Sequence, residues 1–270
     1  MGYLPGLDGI RALAVIGVLL YHADLGWIRG GFLGVDVFFV LSGFLITSLI
    51  LEQLDRSDRV DFRRFYLGRA RRLLPALLLM LIVVGTVVAL WYRDAAYQFA
   101  RDSLASALYV NNWWYIATDL SYFEAIGRPP LLTHLWSLAV EEQFYLIWPF
   151  LAFLVYRRFH RRGVGVFALL LALGSTAWMF TMSVSQGFPD FADPSRAYFG
   201  TDSHAMGLLI GAVLAFAAME RALITRDFTL QYVFDHGSSR TPPLFNIYAN
   251  RSEGFATAFE EIAMQVGLYD

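Results

Sequence analysis

The sequence predicts an all-α fold, a polytopic bundle of transmembrane helices, on the basis of three observations. The 270 residues are 57% hydrophobic and 16% charged, and their mean hydropathy of +0.49 is well above that of a soluble domain. The apolar residues form long blocks, and most of the arginines lie between those blocks. This alternation is typical of a protein that crosses the bilayer several times.

Six apolar blocks come close to the roughly 20 residues that a helix needs to cross a bilayer. These predicted spans are residues 10–25, 32–51, 73–91, 135–156, 164–183 and 198–219. A shorter apolar block, residues 104–116, contains Asn111 and Asn112. We expect this block to lie at the interface or to re-enter the membrane, because amide side chains at its centre disfavour a crossing.

Two arginine-rich connections predict the orientation of the chain. Residues 56–72 contain seven arginines, and residues 157–162 contain four. Cytoplasmic loops of membrane proteins are enriched in Lys and Arg, so both connections should be cytoplasmic. The N-terminus is then also cytoplasmic, and the loop at residues 26–31 lies outside. No charged region precedes the first apolar block and no small-residue cleavage site follows it, so we expect a retained helix rather than a signal peptide.

The composition changes after Met219, where the membrane pattern ends. We therefore divide the chain into a transmembrane domain, residues 1–220, and a short non-membrane tail of different origin, residues 221–270. Within the tail, residues 237–243 predict a loop, and an amphipathic helix is expected after its capping residue Ser252.

Composition also excludes several classes of function. A net charge of -2 provides no overall attraction to nucleic acid. Cysteine is absent, which excludes disulfides, thiolate metal sites and cysteine nucleophiles. No two histidines have the spacing of metal ligands, and no glycine-rich run has a phosphate-binding pattern, so we expect no metal centre.

The first predicted span carries Arg11 and His22, two polar groups that a lipid-facing helix would lack. At about 100° per residue, both side chains return to within about 20° of one helix face, about 16 Å apart along the axis. A histidine here can act as a general base, and an arginine can hold a phosphate. The alternatives are a histidine hydrogen-bonded between helices and an arginine that only reaches the interface.

A second set of polar residues lies along the predicted span 135–156. The residues that share one helical face are His134, Ser137, Glu141, Tyr145 and Trp148. Burial of the Glu141 carboxylate in a membrane is costly, so it should be paired, protonated or turned toward a wet cavity. The alternative is a hydrogen bond that holds two helices together. Glu142 belongs to a different face.

Two further features allow two interpretations each. Asp36 lies a few residues inside the outer boundary of its span, where it can bind a substrate or simply face headgroup water. Arg69, Arg71 and Arg72 precede the third span. They can line a pocket for a polyanionic cofactor, or they can satisfy the positive-inside rule alone.

Five sequence blocks carry a family resemblance. In chain order they are LDGIRALAVIGVLLYH, GGFLGVDVFFVLSGFLI, FYLGRARRLLPAL, HLWSLAVEEQFYLIWP and YFGTDSHAMGLLIGAVLA. With these blocks, residues 3–219 resemble the acyltransferase-3 family of membrane O-acyltransferases, whose members acylate bacterial cell-envelope sugars, antibiotics and lipopolysaccharide. The resemblance implies that Arg11 and His22 are the essential pair and that Glu141 is the conserved glutamate of the fourth block.

The resemblance also implies a reaction: transfer of an acyl group, expected to be acetyl, from cytoplasmic acyl-CoA to a hydroxyl of a cell-envelope carbohydrate at the bacterial plasma membrane. His22 would act as the base and Arg11 would position the donor, with Glu141 as a third catalytic residue. Acceptor contacts are assigned to Asp36, Ser137, Tyr145 and Trp136, and donor contacts to Arg69 and Arg72. Acyl-CoA is expected as a co-substrate, and no bound cofactor is expected.

Two other interpretations stay open at this point. The resemblance implies a family domain with more helices than this chain has, because the chain leaves the family pattern after Met219. An inactive truncated remnant is therefore one alternative. The other is a transporter-like protein that uses Arg11, His22 and Glu141 as an ion or sugar pathway. The tail weakly resembles a segment of a bacterial zinc-hydrolase family through EGFA at residues 253–256, which would make the chain a fusion.

Overall fold

The computed structural model describes residues 5–23, 30–123 and 129–225, with side chains between residues 6 and 220 of those ranges. The regular structure in these ranges is helical, without a strand, as the apolar blocks predict. The helices are α1 (Pro5–His22), α2 (Gly34–Ser57), α3 (Phe62–Trp91), α4 (Ala96–Ala107), α5 (Asn111–Ala117), α6 (Leu135–Gln186), α7 (Ser195–Phe199), α8 (Thr201–His204) and α9 (Met206–Thr225). The prediction of an all-α fold is therefore confirmed.

Within the described ranges, four helical segments are long and apolar enough to cross a membrane. They are Gly31–Ser57, Phe62–Trp91, Leu135–Gln186 and Thr201–Glu220. α1 is not one of the four; it has 18 residues, among them Asp8, Arg11 and His22. The chain is thus a multi-pass membrane protein.

α6 is two helical arms rather than one straight helix. His160 has a non-helical backbone, with φ 55° and ψ -163°. The rings of Trp148 and Phe167 are 6.2 Å apart between centroids, whereas a straight helix would separate these residues by about 28 Å. The chain therefore turns back at His160. The break lies between the predicted spans 135–156 and 164–183, and each arm is long enough to cross a bilayer of about 30 Å.

The turn at His160 is tied to the end of α2. Asp55 accepts a hydrogen bond of 2.9 Å from the Tyr156 hydroxyl and forms an ion pair with Arg161. Asp55 thus contacts one residue on each side of the break at His160. This arrangement explains why Asp55, an acidic residue, lies beside the arginine-rich connection at residues 157–162.

Two helices begin before the predicted membrane spans that they contain. α1 begins at Pro5 rather than at residue 10, because proline is well tolerated in the first helical turn. α3 begins at Phe62 rather than at residue 73, so most of the first arginine-rich connection is helical. Arginine, leucine and alanine are good helix formers, which allows the helix to continue through this basic segment.

The prediction that residues 104–116 do not form a crossing helix is confirmed. α4 has 12 residues and α5 has seven, and both are too short to cross a bilayer. The loop and helix predicted for the tail fall on residues 226–270, which lie outside the described residues.

The chain forms two compact units. The first comprises Met1–Asp61, Phe144–Thr176 and Ala205–Ala249. In it, α2 and α9 approach each other closely at two glycines. A Cβ atom at Gly43 would lie 1.8 Å from the carbonyl oxygen of Leu208, and one at Gly211 would lie 2.0 Å from that of Val40. Small residues allow this kind of backbone contact between membrane helices.

The second unit comprises Phe62–Gln143, Ala177–His204 and Asn250–Asp270. Its apolar core joins one face of α3 to the start of α6 and the residues just before it. The buried members of this core are Leu77, Met80, Val84, Val88, Leu131, Leu132 and Leu135. The four α3 residues follow helical spacing, so burial of this stripe holds α3 against residues 131–135, which lead into α6.

Candidate functional site

The predicted catalytic pair lies on α1, in the first unit. Arg11 is in the interior of the helix and His22 is its last residue, so the axial separation of about 16 Å follows directly from the helical rise. The Arg11 side chain is 11% exposed, and its Nη1 lies 3.5 Å from Oδ1 of Asp8. Sequence reasoning missed Asp8, although a spacing of three residues on a helix was the signal for this ion pair.

The imidazole of His22 is oriented by its own helix. Its Nδ1 lies 2.9 Å from the carbonyl oxygen of Val18. Because a carbonyl only accepts hydrogen bonds, Nδ1 carries the proton, and Nε2 holds the lone pair of the neutral ring. The Tyr21 ring packs edge-on against it, with centroids 5.5 Å apart. The arrangement presents Nε2 as the atom that can accept a proton.

In the second unit, α3 and α6 are joined by an ion pair. Nε of Arg69 donates to Oε2 of Glu142 over 3.4 Å, and Nη2 of Arg69 donates to Oε1 of Glu142. The two side chains are only 19% and 14% exposed. The charge of Arg69, predicted to contact the acyl donor, is therefore compensated within the protein.

Tyr109 lies beside this ion pair, in the turn between α4 and α5. Burial raises its pKa to about 12, the Glu142 carboxylate adds to the increase, and Arg69 opposes it. The phenol is therefore protonated and neutral at physiological pH. It adds no charge to the surroundings of the ion pair.

A buried network of amide side chains begins at Gln143, the residue after Glu142 in α6. Nε2 of Gln143 donates to the Tyr109 carbonyl over 2.7 Å and to Oδ1 of Asn112 over 2.9 Å. Nδ2 of Asn112 donates to the Phe199 carbonyl over 3.0 Å and to Oγ1 of Thr201 over 2.9 Å. The Thr201 hydroxyl donates to Oε1 of Gln143 over 2.6 Å. Because each amide donor has an acceptor, this network fixes α5 relative to α6 and the start of α8.

A comparison with known protein families matches residues 4–225 to an acyltransferase domain, that of the acyltransferase-3 family. The match covers most of the chain and includes α1, α3 and α6. The chain belongs to the acyltransferase-3 family.

Two curated relatives illustrate the similarity. The O-acetyltransferase OatA of Staphylococcus aureus is 44% identical over 214 residues, which are 79% of this chain and 34% of that protein. The peptidoglycan O-acetyltransferase OatA of Listeria monocytogenes is 44% identical over 217 residues, with the same shares of 79% and 34%. The chain thus spans about a third of the length of the curated relatives it matches. Comparison with solved structures found no match.

Family membership places the other predicted site residues inside the acyltransferase-3 domain, and the structure shows their surroundings. Trp136 is 2% exposed, with its ring centroid 4.5 Å from that of Tyr198 and 5.3 Å from that of His204. The Ser137 hydroxyl donates to the His134 carbonyl over 3.3 Å. Trp136 thus belongs to a buried aromatic cluster, and its contact with an acceptor remains a prediction.

The remaining predicted residues are half-buried or buried. Glu141 and Arg72 are half-buried in the second unit, and Asp36 is half-buried in the first. Tyr145, in the first unit, is 5% exposed. Asp36 lies in the first turn of α2, where a carboxylate is favoured by the helix dipole. The roles assigned to these four residues remain predictions.

Proposed function

We propose that this protein is a membrane O-acetyltransferase that transfers acetyl from acetyl-CoA to a hydroxyl of a cell-envelope glycan. The proposal rests chiefly on His22. Its Nδ1 donates a hydrogen bond to the Val18 carbonyl, which leaves Nε2 as the proton acceptor. Membership of the acyltransferase-3 family supports acyl transfer. The name of the Listeria relative, a peptidoglycan O-acetyltransferase, supports a glycan acceptor.

In the proposed reaction, His22 Nε2 takes the proton of the acceptor hydroxyl while the hydroxyl oxygen attacks the thioester carbonyl. The carbon–sulfur bond then breaks, and coenzyme A leaves as a thiolate. The imidazolium returns the proton to that sulfur. The products are an acetyl ester and free coenzyme A, and His22 ends in its starting form.

Arg11 is proposed to bind the phosphates of the donor. A cytoplasmic N-terminus, proposed from the arginine-rich connections, puts Arg11 nearer the cytoplasm than His22. The extended pantetheine arm of acetyl-CoA can bridge the distance of about 16 Å between these residues. The phosphates would then lie at Arg11 and the thioester at His22. Arg69 and Arg72 are proposed as further donor contacts, and Glu141 as a further catalytic residue.

The test is transfer of labelled acetyl from acetyl-CoA to purified cell-wall glycan, in membranes that contain the chain or a variant. His22→Gln is the informative variant, because its side-chain amide is polar and about as long as the imidazole but cannot act as a base. We expect transfer by the wild type and a loss of about 100-fold or more in His22→Gln. Arg11→Lys keeps the charge beside Asp8 and should mainly raise KM for acetyl-CoA, since lysine lacks the planar fork.

Equal amounts of inserted protein are confirmed by detergent extraction and gel filtration. Wild-type transfer that persists in His22→Gln would reject His22 as the base. Absence of transfer by an inserted, stable wild-type chain would reject the proposed function itself.

A further inference from the structure

Four side chains of the second unit form an exposed platform that the proposed reaction does not use. The tryptophan platform consists of Trp113 of α5, Trp178 of α6, Arg196 of α7 and Asp202 of α8. Arg196 and Asp202 form a double hydrogen bond, with Nη1 to Oδ1 at 3.1 Å and Nη2 to Oδ2 at 2.8 Å. The Arg196 guanidinium carbon also lies 5.4 Å from the centre of the Trp113 ring.

Both indole rings are held in place by their N–H groups. Nε1 of Trp178 donates to Oδ2 of Asp202 over 2.9 Å. Nε1 of Trp113 donates to Oε1 of Gln143 over 3.1 Å, which connects it to the buried amide network. Yet Trp113 is 38% exposed and Trp178 is 48% exposed. The rings therefore offer open surface in a fixed orientation, which lowers the entropic cost of binding a ligand.

Gly200 makes the ion pair of the platform possible. A Cβ atom at this position would lie 2.2 Å from Nη1 of Arg196 and 2.5 Å from Oδ1 of Asp202. Any larger residue would displace these groups. The backbone is thus shaped for a guanidinium–carboxylate pair, and the side chains of this pair stay 31% and 36% exposed.

The chemistry of the platform matches a carbohydrate. Fixed aromatic faces can cover the apolar C–H face of a sugar ring, and a planar guanidinium and carboxylate provide directional partners for its hydroxyls. We propose that the tryptophan platform is a carbohydrate-binding subsite that holds the glycan acceptor. This inference rests on the proposed function, since the orientation proposed there puts all four residues at the outer side of the membrane.

A tryptophan at a membrane boundary can also serve as a simple interfacial anchor, and the test separates the two roles. The full chain is reconstituted in lipid nanodiscs and titrated with a soluble chitooligosaccharide by calorimetry. Trp178→Leu keeps an apolar side chain for the lipid but removes the flat ring. Trp91→Leu is the matched control, because Trp91 is 69% exposed at the end of α3 and lies outside the platform.

We expect the wild type and Trp91→Leu to bind the chitooligosaccharide equally, and Trp178→Leu to bind about fivefold more weakly. Asp202→Asn, which keeps the shape of the side chain, should also weaken binding. In the transfer assay, Trp178→Leu should raise KM for the glycan more than it lowers kcat. Absence of wild-type binding, or equal binding by Trp178→Leu, would overturn the subsite.

The two proposals fail in different ways. Acetyl transfer that depends on His22 but not on the platform would reject the subsite and keep the function. Chitooligosaccharide binding that depends on Trp178, in a chain that transfers no acetyl, would keep the subsite and reject the function.

Discussion

Adjacent glutamates in α6 have different surroundings, although both lie in a predicted span. Glu142 is 14% exposed in its side chain and bonded to Arg69, whereas Glu141 points about 100° away around the helix. Helical spacing selected Glu141 as a candidate site residue, but it had no means of finding the partner of Glu142. Each carboxylate can therefore be tested with the same substitution.

We expect Glu142→Gln to lower the free energy of unfolding by about 2 kcal/mol, because it leaves the Arg69 charge poorly compensated in a largely buried place. Glu141→Gln should reduce acetyl transfer if Glu141 serves the reaction as proposed. Thermal unfolding in detergent and the transfer assay provide the two measurements. Removal of both charges in Arg69→Gln/Glu142→Gln should recover part of the lost stability. A fully stable Glu142→Gln variant would contradict this account of the ion pair.

At the scale of elements, the first unit depends on contact between helix backbones. Gly43 in α2 lies against the backbone of α9 at Leu208, whereas a Cβ atom added at Gly174 in α6 would have no neighbouring side chain or other segment within 4 Å. In an exposed helix interior, Gly→Ala is normally stabilising by about 0.5–1 kcal/mol. The two positions should therefore respond with opposite signs.

Gly43→Ala should lower the free energy of unfolding by about 1–3 kcal/mol, because the added methyl group forces α2 and α9 apart. Gly174→Ala should leave stability unchanged or raise it slightly. Thermal unfolding in the same detergent compares the two, and limited proteolysis reports whether α9 is released. If Gly43→Ala were as stable as Gly174→Ala, the close contact between α2 and α9 would be refuted.

At the scale of the whole molecule, the property to be tested is the orientation of the chain in the membrane. The arginine-rich connections predict that the end of α2 is cytoplasmic and that the end of α6 is outside. The natural chain has no cysteine, so single cysteines can report orientation without background labelling. Ser57 and Ser185 are both exposed and lie near those two helix ends.

We expect Ser185→Cys to react with a membrane-impermeant maleimide in intact cells. Ser57→Cys should react only after the cells are made permeable, since the positive-inside rule puts it in the cytoplasm. Gel-shift detection of the labelled chain is the measurement. The opposite pattern would invert the proposed orientation, and with it the placement of Arg11 toward the donor.

Sequence reasoning predicted the features that depend only on residues close together in the chain. The Arg11 and His22 pair depends only on the helical period, and the turn near His160 follows from a short polar run between apolar blocks. It did not predict that α3 begins before its apolar span, because a basic run that favours a membrane boundary is equally compatible with a helix. Asp8 was missed although its spacing to Arg11 was visible.

The sequence by itself determined the all-α membrane fold, the family and the candidate pair on α1, because hydropathy and helical period act over neighbouring residues. Only the tertiary structure decided which distant residues meet. It joined Arg69 to Glu142, Gly43 to Leu208, and three separate stretches of chain into the tryptophan platform. Such contacts depend on which helix faces pack together, and packing is set by shape and charge complementarity between segments far apart in the chain.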